Sequence, residues 1–218
     1  MQSERLSLRK AVRIIEVRFL GIMCLISCVQ CQLEPFVAGG NFAAISNFPH
    51  AAFMSFHCYG DDQIMIQWIC GASILNQELT LTAGHCLSGC NRNSTIIVSV
   101  GSSNRNQGVE VTVHSFFMHP DYNEVLSSND IGLVRLNTMI HFNENVKRVM
   151  LMQNPPYFEK AQVAGWGLIN EIEQISTNQL KYAEQIVMSG EDCQKYLPNP
   201  PKGTICGDSR NESDYSTQ

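Results

Sequence analysis

The first chemical feature of the sequence is a histidine set among small residues and followed by a cysteine, Thr82-Ala83-Gly84-His85-Cys86. An apolar run precedes it, and Cys70 lies upstream in Trp68-Ile69-Cys70-Gly71-Ala72-Ser73. A Cys70–Cys86 bridge would close a small loop and pin His85 against the preceding strand. An imidazole held in this way can serve as a base and then as an acid. Most single histidines are structural or merely exposed; the small residues, the adjacent cysteine and its upstream partner set this one apart. The second feature is Asn129-Asp130-Ile131-Gly132-Leu133-Val134-Arg135-Leu136. A carboxylate that opens a buried apolar run needs donors or a cationic partner. Asp130 reads either as a surface residue at a strand edge or as a buried acceptor for an imidazole N–H. In the second case it would hold the ring in one tautomer and stabilise the imidazolium.

A third set, His50, His57, Cys58 and the nearby cysteines, could ligate a metal. No His-Glu-x-x-His is present, and Cys86-x-x-x-Cys90 alone is a weak zinc signal. Disulfides, Cys58–Cys90 among them, explain these residues more simply, so neither a metal nor a cofactor is expected.

Short strands separated by turns must position these groups. Trp68–Leu75, Leu79–Ala83, Ile96–Val100, Ile131–Leu136 and Gln162–Ala164 are apolar or β-branched runs. Val109–His114 alternates with period two, as a half-buried strand should. Gly101-Ser102-Ser103-Asn104 and His119-Pro120-Asp121-Tyr122-Asn123 read as turns or loops. One short helix is predicted at Ser189–Tyr196, with Ser189 as its cap and Asp192 three residues on. Many short strands with little helix predict an all-β barrel or sandwich. Asn154-Pro155-Pro156 breaks the pattern and marks a boundary between Met150 and Lys160.

Composition narrows the class. Hydrophobic residues make up 44% and charged residues 16% of the 218, an ordinary globular mixture. The net charge of −5, with no basic run beyond the N-terminus, argues against nucleic-acid binding. Arg5, Arg9, Lys10, Arg13 and Arg18 precede a short apolar run from Phe19 to Val29, and small residues allow cleavage after Cys31. That run falls short of the roughly 20 residues that span a bilayer. A secretory signal over 1–31 is therefore predicted; a membrane anchor is the alternative, and Met23 is a second candidate start. Six cysteines follow it: Cys58, Cys70, Cys86, Cys90, Cys193 and Cys206. An even number behind a signal predicts disulfides in an oxidising compartment, and so a secreted, extracellular protein. Asn93-Ser94-Thr95 and Asn211-Glu212-Ser213 are glycosylation sequons that acquire meaning only if the chain is secreted.

These motifs, in this order, resemble the trypsin/chymotrypsin family of serine endopeptidases. The histidine motif matches Thr82–Cys86 and the aspartate motif Asn129–Leu136. Val37-Ala38-Gly39-Gly40, with Phe48-Pro49 following, loosely matches the start motif. Ala164-Gly165-Trp166-Gly167 matches the Gly-Trp-Gly that opens the second barrel, and His119–Asn123 is also typical of the family. Cys193 and Cys206 match the pair flanking the short helix of that barrel. The resemblance implies an all-β, double antiparallel β-barrel with the active site in the cleft between barrels. It implies His85 as general base and acid, Asp130 as its orienting group, and a serine attacking a polypeptide substrate beside an oxyanion hole.

The sequence also departs from the family. No Gly-Asp-Ser-Gly-Gly occurs in it. Cys206-Gly207-Asp208-Ser209 resembles the start of that motif, but Arg210-Asn211 follow instead of two glycines. Glycine lets the backbone turn and present its N–H groups, which Arg and Asn do less readily, so Ser209 reads as part of a diverged tail. Phe36 before Val37 is no cleavage site for a trypsin-like activator, and Ala38 replaces the usual valine. The expectation is a complete first barrel and an incomplete second one. The segments are 1–31 signal peptide, 32–36 pro-segment, 37–150 first barrel, 151–207 partial second barrel and 208–218 tail. The second unit should be weakly ordered, and the chain inactive as it stands. The alternative function is a secreted, non-catalytic homologue that binds or regulates a protease partner.

Overall fold

The strand predicted for Val109–His114 runs on to Met118, with a register shift between Val113 and Ser115, and belongs to a closed barrel. The computed structural model describes residues 40–59, 64–91, 93–170, 175–201 and 203–208. The expected signal and pro-segment, Val37–Gly39, Ser209 and Asn211 lie outside them. In chain order the strands are β1 (Asn41–Phe42), β2 (Ala51–Tyr59), β3 (Met65–Ile74), β4 (Leu79–Thr82), β5 (Thr95–Val100), β6 (Val109–Met118) and β7 (Gly132–Leu136). There follow β8 (Lys160–Gly165), β9 (Leu168–Asn170), β10 (Ile175–Ser176), β11 (Lys181–Val187), the helix α1 (Gly190–Tyr196) and β12 (Gly207–Asp208).

Six antiparallel strands close the first barrel in the order β2-β3-β4-β7-β6-β5. Closure leaves none of the six with an unpaired side, which removes the edge problem of an open sheet. The interior is filled by alternate residues of each strand. Met54, Phe56, Ile74, Val98 and Val134 are all 0% exposed, and Phe56 stacks on Trp68. On β7 the alternation is strict: Gly132, Val134 and Leu136 face in, Leu133 and Arg135 face out. Burying one such large side chain contributes about 1.5–3 kcal/mol.

The second half is an open sheet. β11 pairs with β8 along six residues on one side, and with the short β1 and β12 on the other. β9 and β10 form a separate two-stranded ribbon. The structure thus has one closed barrel and one incomplete one, in an all-β frame with one α-helix and a short 3-10 turn at Ile45–Asn47 among the described residues. The predicted helix begins at Gly190. Ser189 caps it, its Oγ accepting from the Asp192 N–H at 3.1 Å and donating to the Asp192 carboxylate at 2.8 Å. Six strands were not foreseen from the sequence: the short β1, β9, β10 and β12, and the longer β2 and β11, each of which pairs on both sides.

A second apolar cluster joins the halves. Ala43, Ile45, Phe48, Ala51, Trp166 and Leu180 are buried together, and Phe53 of β2 packs edge-on against Trp166. Ser103, in the turn between β5 and β6, anchors this junction. Its carbonyl accepts from the Trp166 indole N–H at 2.7 Å and from the Leu180 N–H at 2.8 Å, and its hydroxyl accepts from the Ile45 N–H at 2.8 Å.

Candidate active site

His85 stands just past the end of β4. The strand ends at Thr82, whose hydroxyl donates to the Gly71 carbonyl on β3 at 2.8 Å. The chain then turns, with the Leu87 N–H returning to the Gly84 carbonyl at 3.0 Å. A disulfide ties Cys86 to Cys70 of β3, and the Trp68 indole N–H donates to the Cys86 carbonyl at 3.0 Å. One covalent link and one indole therefore hold the histidine segment against the same strand.

Asp130 comes from the approach to β7. Asn129 adopts a left-handed conformation at φ 53°, which asparagine tolerates better than most residues. Its side-chain amide donates to the Asp121 carbonyl at 2.9 Å and fixes the turn. The Asp130 carboxylate then meets His85 twice. Oδ1 accepts from the His85 backbone N–H at 2.7 Å, and Oδ2 lies 2.7 Å from Nδ1 of the ring. An ionised carboxylate only accepts, so Nδ1 carries the proton and Nε2 is left with its lone pair.

This carboxylate was expected to be buried. It is half-buried, with 28% of the side chain exposed against 33% for His85. Two short hydrogen bonds, more than exclusion of water, hold it in place. Gly84 makes the approach possible, because a Cβ there would lie 3.3 Å from Asp130 Oδ1 and 3.2 Å from the Tyr122 ring. Burial, and then the charge of Asp130, raise the Tyr122 phenol above its ordinary value. The backbone donor, Gly84, Asn129 and Tyr122 were all missed as site residues by sequence reasoning. Signals that could have marked them were Gly84 among the small residues before His85, Tyr122 in His119–Asn123, and Asn129 beside the acid.

Asp130 also lines a cleft of about 410 Å³ between the first barrel and the start of the second half. Ala51, Gly71, Ser73, Ala83 and Trp166 are among its walls. On its other side the His85 ring meets Cys86 Sγ, 3.5 Å from Nε2. Among the described residues no hydroxyl lies within hydrogen-bonding distance of that nitrogen.

The other predicted residues fall elsewhere. Disulfides join Cys58 to Cys90 and Cys193 to Cys206. His57 and Cys58, adjacent on β2, point to opposite faces of the strand. Among the described residues, the cluster of potential metal donors is Cys70, His85 and Cys86, and both of its sulfurs are in a disulfide. Asn93 sits in an exposed turn before β5.

The family model described as Trypsin matches residues 37–217. The chain belongs to the trypsin family. Trypsin delta of Drosophila erecta is 32% identical over 164 residues, covering 74% of this chain and 61% of that protein. Trypsin alpha of Drosophila melanogaster is 30% identical over 188 residues, covering 80% and 70%. The chain thus spans about 61% of the length of the first trypsins it matches. Among solved structures, the scabies mite inactivated protease paralogue S-D1 superposes with a TM-score of 0.68 at 21% identity, over 79% of this chain and 75% of its own. HL collagenase superposes with a TM-score of 0.66 at 25% identity, over 79% and 73%. Both share the trypsin fold with this chain.

Proposed function

We propose that this chain is a secreted serine endopeptidase of the trypsin family in which His85 is the general base and acid and Asp130 its orienting carboxylate. We propose too that the 218 residues as they stand do not cleave peptides. The observation that carries the reading is the double contact of Asp130 with His85, 2.7 Å to the backbone N–H and 2.7 Å to Nδ1. That arrangement leaves Nε2 free to take the proton of an attacking hydroxyl, and Asp130 then stabilises the imidazolium until the proton passes to the leaving amine. Inactivity is supported by the lack of any Gly-Asp-Ser-Gly-Gly in the sequence and of any described hydroxyl near Nε2. Secretion is supported by three disulfides, which persist in oxidising compartments. No helix among the described residues is long and apolar enough to cross a membrane.

The test is to treat the purified 218-residue chain with a peptide ester and a fluorophosphonate. Neither hydrolysis nor labelling is expected, and a label on Ser209 would overturn the claim. If the message encodes a nucleophile past Gln218, the extended chain should gain both activities and lose them on His85→Ala. Should the full message add no nucleophile, the non-catalytic binding or regulatory role becomes the better reading.

A further inference from the structure

The turn that leads from the Cys58–Cys90 bridge into β5 divides its side chains into two groups. Asn91 and Ser94 are used by the fold. The Asn91 amide donates to the Tyr59 carbonyl at 2.6 Å, and the Ser94 hydroxyl accepts from the Asn91 N–H at 2.9 Å and from the Tyr59 N–H at 3.4 Å. These bonds fasten the turn to the end of β2. Asn93 and Thr95 are both exposed, and their side chains make no hydrogen bond to another described residue. Only the backbone N–H of Asn93 is engaged, donating to Asn91 Oδ1 at 2.9 Å.

We propose that Asn93 carries an N-linked oligosaccharide, with the Thr95 hydroxyl completing the acceptor sequence. In the transfer, the Asn93 amide nitrogen bonds to the anomeric carbon of a lipid-pyrophosphate-linked oligosaccharide. The carbon–oxygen bond to the lipid pyrophosphate breaks, and the lipid pyrophosphate leaves with the bonding pair. The amide gives up one proton, and nothing is oxidised or reduced. The modification is made on a chain entering the secretory route and must then remain outside the fold. An exposed turn whose own contacts run through Asn91 and Ser94 meets that condition. A groove of about 590 Å³ starts at Asn91 and Ser94, on either side of the acceptor, and continues past His114 and Phe116.

The inference rests on the secreted reading. The test is translation of the full 218-residue chain with secretory microsomes, followed by protease protection, peptide:N-glycanase treatment and mass spectrometry. A protected chain is expected in which glycanase converts Asn93 to aspartate. Asn93→Gln and, separately, Thr95→Ala should each remove one glycan-sized step in mobility. Thr95→Ala leaves the acceptor in place and guards against a folding artefact. A chain that enters the microsome and forms its disulfides with Asn93 unmodified overturns this inference alone. A chain that never becomes protected overturns it together with the secreted reading.

Discussion

The two halves of the molecule obtain order from different sources. In the first barrel every strand has two neighbours, and Met54, Phe56, Ile74, Val98 and Val134 in its interior see no solvent. In the second half, β11 is the described strand with partners on both sides. The fully buried apolar side chain there is Leu180, and it packs with Phe48, Ala51 and Trp166, against the first barrel. The first barrel makes its own core, whereas the second half takes much of its burial from contact with the first. The candidate dyad follows the same division. His85 and Asp130 flank β4 and β7 of the closed barrel, and their geometry does not depend on the open sheet.

The sharpest way to break this comparison is to truncate each half in turn. Phe56 is 0% exposed and stacked on Trp68, so Phe56→Ala should cost about 4 kcal/mol in chemical denaturation. Val163→Ser on the open β8, where the side chain is 38% exposed, should stay within about 0.5 kcal/mol. Equal losses would mean that the halves fold as one core. Trp166→Ala comes next. It removes a buried indole and its bond to the Ser103 carbonyl, at about 3 kcal/mol. Limited proteolysis of this variant should release the second half while leaving residues 51–136 intact.

Ser189→Ala should cost about 1 kcal/mol, confined to α1, and be read as faster amide exchange over Gly190–Tyr196 alone. The smallest effect concerns acid. Burial lowers the His50 pKa below its ordinary 6.5. The unfolded chain therefore takes up the proton first as pH falls, and stability is lost from about pH 6.5 down to the folded value. His50→Gln should flatten that part of the slope, as denaturation midpoints at about pH 7 and about pH 5 would show.

Part of the fold could be read in the sequence where apolar or β-branched residues ran together. β5 and β7, both read as apolar or β-branched runs, were found almost to the residue. β2 was missed although Ala52, Met54, Phe56 and Cys58 alternate inward. Its alanines and serine have weak strand preference, and His57 and Cys58 drew attention as ligands instead. β11 was missed because Lys181 and Glu184 interrupt the apolar pattern of a strand that is only partly covered. At the site, residue types and motif order marked His85 and Asp130. What they could not mark was the close approach over Gly84 and the backbone bond from His85, because both arise from tertiary contact between segments 45 residues apart.

The paired ring and carboxylate can be examined without any substrate, by proton NMR of the Nδ1–H of His85. A single exchange-protected proton far downfield is expected, lost in Asp130→Ala while the methyl signals of the barrel core stay dispersed. A ring proton in ordinary exchange with water, or one indifferent to Asp130→Ala, would contradict the dyad.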